Sequence, residues 1–238
     1  MEYYYSPDLE NDQIILSPEE ARHCIKVMHH RVGDTIFVVD GKGCLAESVV
    51  VNIDKVNAVL HITRREYGIG KRDFILHIAI APTKNRERIE WFLEKAVEVG
   101  VEKVSFIICE HSERPRLEMA RLERITVAAM KQSHTAYMPD LEVISFEDCV
   151  LQNDGINGEK LIAWCEAGAG VEQLARLPLV KDHITLLIGP EGDFSEQEVR
   201  KALEYGFREV KLGNKRLRTE TAGLYGCCVI AGIKEVKR

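Results

Sequence analysis

Leu187-Ile-Gly-Pro-Glu-Gly-Asp-Phe-Ser-Glu-Gln-Glu-Val199 reads as a buried strand that ends at Gly189, turns over Pro190-Glu191-Gly192 and enters a helix. Ser195 is the expected N-cap, Glu198 its capping-box partner, and Phe194 with Val199 has the spacing of a hydrophobic staple. Glycines at 189 and 192 let a ligand approach the backbone, and the C-terminal ends of strands are where α/β sheets bind ligands. Taken alone, the segment is equally an ordinary strand–turn–helix junction. Glu191 argues against a phosphate cradle, because a carboxylate repels the anion; nor does the chain contain Gly-x-x-x-x-Gly-Lys-Ser/Thr.

Downstream, Val210-Lys-Leu-Gly-Asn-Lys-Arg-Leu-Arg-Thr-Glu-Thr-Ala-Gly223 reads as a short strand, a cationic loop and the start of a helix rich in small residues. Lys211, Lys215, Arg216 and Arg218 stand in this loop with no acid among them, a cluster suited either to a phosphate backbone or simply to water. The run Ala222-Gly-Leu-Tyr-Gly-Cys-Cys-Val-Ile-Ala-Gly permits close helix packing, inside the domain or across a dimer interface. Upstream, strands at Phe74–Ile80, Val104–Cys109, Leu161–Cys165 and Ile184–Ile188 alternate with helical periodicity, as in an α/β sheet. Ile89, Phe92, Leu93, Ala96 and Val97 share one helical face, and Gly100 is the expected stop.

Before residue 70 the pattern is different. Short strands at Thr35–Asp40, Cys44–Ile53 and Ala58–Thr63, with a hairpin turn at Asp40-Gly-Lys-Gly43, predict a small barrel. One helix interrupts them: Ser17 caps it, Pro18 opens it and Glu20 sits at the capping-box position. Tyr67-Gly-Ile-Gly-Lys-Arg-Asp73 reads as the linker.

The 238 residues carry 32 Lys and Arg against 38 Asp and Glu, a net charge of -6. Residues 1–70 hold 7 cations against 11 acids and the remainder 25 against 27, so neither part is basic overall. Indiscriminate coating of RNA is excluded, and a focused cationic strip is not. No signal peptide and no apolar run near the roughly 20 residues of a membrane span is legible. Seven scattered cysteines, without a Cys-x-x-Cys pair, read as small buried hydrophobes in a reducing cytoplasm. His29-His30 is no metal pair, since sequence neighbours point apart, and no metal is expected.

Ile188–Val199 followed by Lys211–Gly223 resembles the paired signature of the RsmE family of SPOUT methyltransferases. Shorter matches continue the resemblance over nearly the whole chain: His23-Cys-Ile-Lys-Val-Met-His-His-Arg-Val-Gly-Asp34, Ala81-Pro-Thr-Lys84, Glu94–Gly100, His111–Arg114 and Ala129–Ser133. The resemblance implies an α/β protein: a PUA-like β-barrel over residues 1–70 that helps hold RNA, then a SPOUT trefoil-knot methyltransferase domain over residues 71–238. It implies S-adenosyl-L-methionine as cofactor, a homodimer, and methylation of N3 of one uridine in the decoding region of 16S rRNA in the small ribosomal subunit. Carried over residue by residue, the cofactor pocket comprises Leu187, Ile188, Gly189, Pro190, Glu191, Gly192, Leu212, Gly213, Leu217, Arg218, Thr221 and Ala222.

Uridine N3 carries a weakly acidic proton, so its removal needs a base and its anion a cation near O2 or O4. Arg218 is the expected cation and Glu220 the expected base or orienter; an Arg–Glu pair that merely shapes the loop is the bland alternative. RNA contacts are expected at Arg22, Lys26, His29, Arg31, Arg114, Arg116, Lys215 and Arg216, with His30, Arg121 and Arg124 beside them. The chain departs from the family pattern at Asn214, where many relatives have proline, at His29, and over Lys131-Gln-Ser-His-Thr135. Two other readings stay open: a different SPOUT enzyme such as a tRNA 2′-O-ribose methyltransferase, and a non-catalytic rRNA-binding assembly protein.

Overall fold

Alternating apolar residues along Cys44–Ile53 bury every second side chain over most of the strand, the period the sequence predicts there. The computed structural model describes residues 2–54, 56–113, 117–168 and 170–236. Two compact units are present, Met1–Lys71 with Thr126–Met138, and Arg72–Ile125 with Pro139–Arg238.

In the first unit β1 (Tyr3–Tyr5), β2 (Gln13–Ile15), α1 (Pro18–Arg22), β3 (Thr35–Val39), β4 (Cys44–Ile53) and β5 (Ala58–Tyr67) follow in order, with a π-helical turn over His23–Val27. Strand order is β1-β3-β4-β5-β2, which leaves β1 and β2 at opposite edges: the small β unit is a curled half-barrel, open and not closed. Register shifts at Glu47/Ser48 and Val50/Asn52 bend β4 against β5. Tyr4, Leu16, Val38, Val50 and Leu60 form its core. Asp40 Oδ1 accepts from the amides of Lys42 (2.7 Å) and Cys44 (2.9 Å), closing the predicted hairpin turn.

In the second unit β6 (Ile75–Ile80), α2 (Arg86–Val99), β7 (Lys103–Ile108), α3 (Met119–Gln132), β8 (Asp140–Ser145), α4 (Phe146–Gln152), β9 (Glu159–Ala163), β10 (His183–Ile188), α5 (Glu196–Glu204), β11 (Arg208–Val210) and α6 (Thr219–Val236) alternate as expected. All strand pairs are parallel, in the order β11-β9-β10-β6-β7-β8. Gly100 stops α2 in the left-handed conformation (φ 89°), and Ser195 with Glu198 forms the predicted capping box. Lys211 leaves the sheet: its carbonyl accepts from Leu174 N (2.8 Å) and its amide donates to Glu172 O (3.0 Å). The chain then returns from the β11 edge, and α6 packs on α2, β6 and β10 in the middle of the sheet. This return of the last helix to the middle of the sheet fits the fold of the family that the motifs resemble. Added Cβ atoms would meet Ile80 and Phe92 at 2.7 Å from Gly223, and Leu186 at 2.4 Å from Gly226, so these two glycines serve packing inside the domain.

The second half of α3 and the residues after it belong to the first unit, which a contiguous division at residue 70 leaves out. There Lys131 Nζ lies 2.6 Å from Glu20 Oε1, and the His134 ring stacks on Tyr3 at 5.0 Å. Glu20 therefore does not complete the expected capping box. Ser17 Oγ accepts from Glu20 N, but the Glu20 carboxylate takes Lys131 and the Tyr5 amide. At Gly43, with φ 102°, a Cβ would fall 2.3 Å from the Tyr137 ring, so that turn admits only glycine.

A buried polar ladder crosses the sheet. His77 Nε2 donates to Ser105 Oγ (2.7 Å), and that hydroxyl donates to Glu142 Oε1 (2.5 Å). Burial first, then the Lys103 charge, pushes the imidazole down to about 3, so it is neutral. All seven cysteines are free; Cys165 and Cys228 are exposed, which corrects the expectation of uniformly buried thiols. No helix among the described residues is long and apolar enough to cross a membrane.

Candidate active site

Strands β6, β10, β9 and β11 end level, with Ile188 in register with Ile80 and Ala163, and Val210 with Ala163. Three loops leave this edge and are tied together. After β10, Asp193 N donates to Pro190 O (2.9 Å), and Phe194 packs so close to Gly189 that a Cβ there would lie 3.1 Å from its ring. The loop after β9 joins it through Cys165 N, which donates to Asp193 Oδ2 (3.0 Å). The loop after β11 joins through Thr219 Oγ1, which donates to Gly189 O (3.1 Å), and Arg216, which reaches Glu191 O at 3.5 Å.

A cleft of about 300 Å³ opens beside these loops, lined by Asn85, Glu87, Arg88, Trp91, Arg218, Glu220 and Thr221. Asn85, Arg88 and Trp91 recur at helical spacing along α2 and its cap, and Arg218 and Thr221 do so at the start of α6. One guanidinium serves two carboxylates here. Arg88 Nη1 is 3.2 Å from Glu191 Oε1, and its Nε is 3.9 Å from Glu220 Oε1. Glu220 is only 6% exposed, and its Oε2 has no hydrogen-bond partner among the described residues. Arg218 is exposed and pairs with no carboxylate among the described residues, so the bland reading of a loop-shaping Arg218–Glu220 pair does not hold.

The structure thus brings Arg218, Glu220 and Thr221 into one cleft and links Glu191 to it through Arg88. Leu187 and Ile188 are buried strand residues with only backbone to offer a ligand, Ala222 and Pro190 are also buried, and Leu212 and Leu217 are half-buried. Gly213 is open, with nothing within 4 Å of an added Cβ. Lys215 and Arg216 are exposed on the same loop. In the first unit Arg22, Lys26, His29 and Arg31 are exposed, whereas His30 is held 3.3 Å from Asp34. Arg114 and Arg116 lie outside the described residues. The Arg121 guanidinium grips Glu90 at 2.5 and 2.8 Å. Asn85, Arg88 and Trp91 were missed by sequence reasoning, which followed only the apolar stripe of α2. The one available signal was Trp91, a large aromatic off that stripe.

A family model described as an RNA methyltransferase domain matches residues 71–231. The chain belongs to this RNA methyltransferase family. Among family members, a probable rRNA-methyltransferase from Porphyromonas gingivalis is 38% identical, with each chain fully covered and a TM-score of 0.91. The ribosomal RNA small subunit methyltransferase E of Neisseria gonorrhoeae, in a crystal structure bound to S-adenosyl methionine, is 25% identical over 98% of each chain with a TM-score of 0.82. The Bacillus subtilis protein of the same name is 26% identical, with 98% of both chains covered. Among methyltransferases of this family, relatives that match more than nine tenths of this chain include small subunit methyltransferase E proteins, as the paired motifs implied.

Proposed function

We propose that this protein is an S-adenosylmethionine-dependent rRNA methyltransferase that methylates N3 of one uridine in the decoding region of 16S rRNA. It acts in the cytoplasm, as a homodimer, on the small ribosomal subunit. The observation that carries this reading is that one cleft holds an arginine with no carboxylate partner and a buried carboxylate with one oxygen unpartnered, among the described residues.

The residues present fit the cofactor. Three loops converge at the strand ends, Gly213 leaves open space, and the carboxylates of Glu191 and Glu220 suit a cationic ligand where they would oppose a phosphate. Backbone from Leu187 to Gly192 and from Leu212 to Leu217 would hold it, with Leu212 and Leu217 as apolar walls. When bound, S-adenosylmethionine supplies a methyl carbon on positive sulfur, whose bonding pair stays on sulfur as the new carbon–nitrogen bond forms. The Glu220 carboxylate takes the N3 proton of the uracil ring. Arg218 stabilises the charge that this leaves on O2 or O4, a task worth orders of magnitude in rate when the donor is already in place. Arg88 holds both carboxylates and so keeps Glu220 oriented. Because N3 lies on the pairing edge, the base must be out of its helix.

Labelled methyl transfer tests the reading. Small subunits should accept the label and free tRNA should not, and a reverse-transcription stop should fall at one uridine in the decoding region. Arg218→Ala should lower transfer by about 10²-fold or more while cofactor affinity, measured by calorimetry, stays within a few-fold. Transfer surviving in that variant would remove Arg218 from the chemistry.

A further inference from the structure

We propose that the α2–α6 cleft is the pocket of the target base, with Trp91 as its stacking platform and the Glu220 carboxylate as the group that selects uracil over cytosine. This rests on the methyltransferase reading above and adds to it the residues that receive the base.

Consider first what the cleft rejects. Of its two arginines, Arg88 is already committed to Glu191 and Glu220, and Glu87 adds a further acid to the wall. A phosphate would meet two carboxylates and one available cation, Arg218. A neutral planar ring meets no such conflict. Trp91 is 42% exposed on the lining although α2 buries Ile89, Phe92, Leu93, Ala96 and Val97 on its other side, so its indole face is kept out of the core. Aromatic faces of this kind are what extruded bases stack on.

Glu220 then decides which base. An acceptor that is buried and unpartnered is unfavourable until a donor reaches it. The pairing edge of uracil reads acceptor, donor, acceptor: O2, N3–H, O4. Its central N–H meets the Glu220 carboxylate, and an outer carbonyl meets Arg218. Cytosine presents N3 as a bare acceptor at the central position, and two facing acceptors repel. The same carboxylate that takes the proton therefore also excludes the other pyrimidine.

Wild type, Trp91→Ala and Trp91→Phe are compared for kcat and KM on small subunits, with cofactor affinity and oligomeric state measured in parallel. Trp91→Ala should lose about tenfold or more in kcat/KM for RNA, Trp91→Phe should stay within about threefold, and cofactor affinity should not move. A short rRNA fragment carrying the target uridine should quench a component of the tryptophan emission that is absent in Trp91→Phe, and the same fragment with cytidine there should quench it far less. The proposal is overturned if Trp91→Ala retains wild-type kcat/KM, if it instead dissociates an oligomer, or if the two fragments quench alike. A wild-type protein that methylates no RNA removes the underlying reading as well, whereas an active wild type with an unaffected Trp91→Ala removes the base pocket alone.

Discussion

Glu20 and Glu220 are both acids near a helix start, and local rules treat them alike, yet their roles diverge. Glu20 reads as a capping-box residue, but Lys131, 111 positions away, claims its carboxylate at 2.6 Å. A charge-assisted bond outweighs the cap, which contributes about 1 kcal/mol. Glu220 keeps one oxygen without a partner among the described residues, which no local pattern distinguishes. His77 is the residue whose burial has the clearest consequence for pH. Its folded value is about 3, against 6.5 in an unfolded chain, so acid protonates the unfolded state first. Its contribution is intact above 6.5 and drains away as pH falls from there towards 3. Between pH 7 and 5 this amounts to about 2 kcal/mol, from 1.36 kcal/mol per pH unit. Urea midpoints at pH 7, 6 and 5 should fall accordingly, and His77→Gln should flatten that decline; an unchanged slope would contradict the assignment.

At the level of elements, α5 and α6 show opposite balances of local and tertiary information. Everything that starts α5 is adjacent in sequence: Ser195, Glu198, Phe194 and Val199 form the capping box and staple that the sequence predicts. For α6, the sequence leaves its small residues facing either the domain or a partner, and packing decides it for two of them. Gly223 and Gly226 face Ile80, Phe92 and Leu186, all buried. Gly226→Ala gains about 1 kcal/mol of helix propensity but loses about 1–3 kcal/mol to overpacking against Leu186. The expected outcome is a net loss of stability, read as a Tm lowered by a few degrees. Gly232, with nothing within 4 Å of an added Cβ, should instead become slightly more stable as alanine. Strand β8 is a different failure of legibility: its edge position leaves Asp140–Ser145 without the apolar run that marks β6 or β10.

For the whole molecule, the net charge of -6 conceals how the cations are spent. Arg72, Arg86, Arg88 and Arg121 are tied to Glu102, Glu118, Glu191 and Glu90. Lys215, Arg216 and Arg218 are exposed on the loop that leads into α6. RNA held chiefly at this one loop of three exposed cations should meet a small number of phosphates. The slope of log K against log salt should therefore be shallow, and replacing Lys215 and Arg216 with Gln should reduce it by about one per cation removed. A slope that stays put would move the RNA contact elsewhere.

Local patterns dictate the two-part order of the chain, most of its strand and helix types, the glycine turn at 189–192 and the loop that leads through Arg218 to Glu220 at the start of α6. Those features are written in periodicity and in neighbours a few residues apart, so local physics suffices. Only the tertiary structure decided that Thr126–Met138 joins the first unit, and that α2 faces α6 across a cleft. It alone decided that Arg88 bridges two carboxylates, one of them 103 residues away. Periodicity states which face of an element is buried. Which polar groups then meet depends on strand order and on the return of the last helix to the middle of the sheet, and the candidate cleft is made of those meetings.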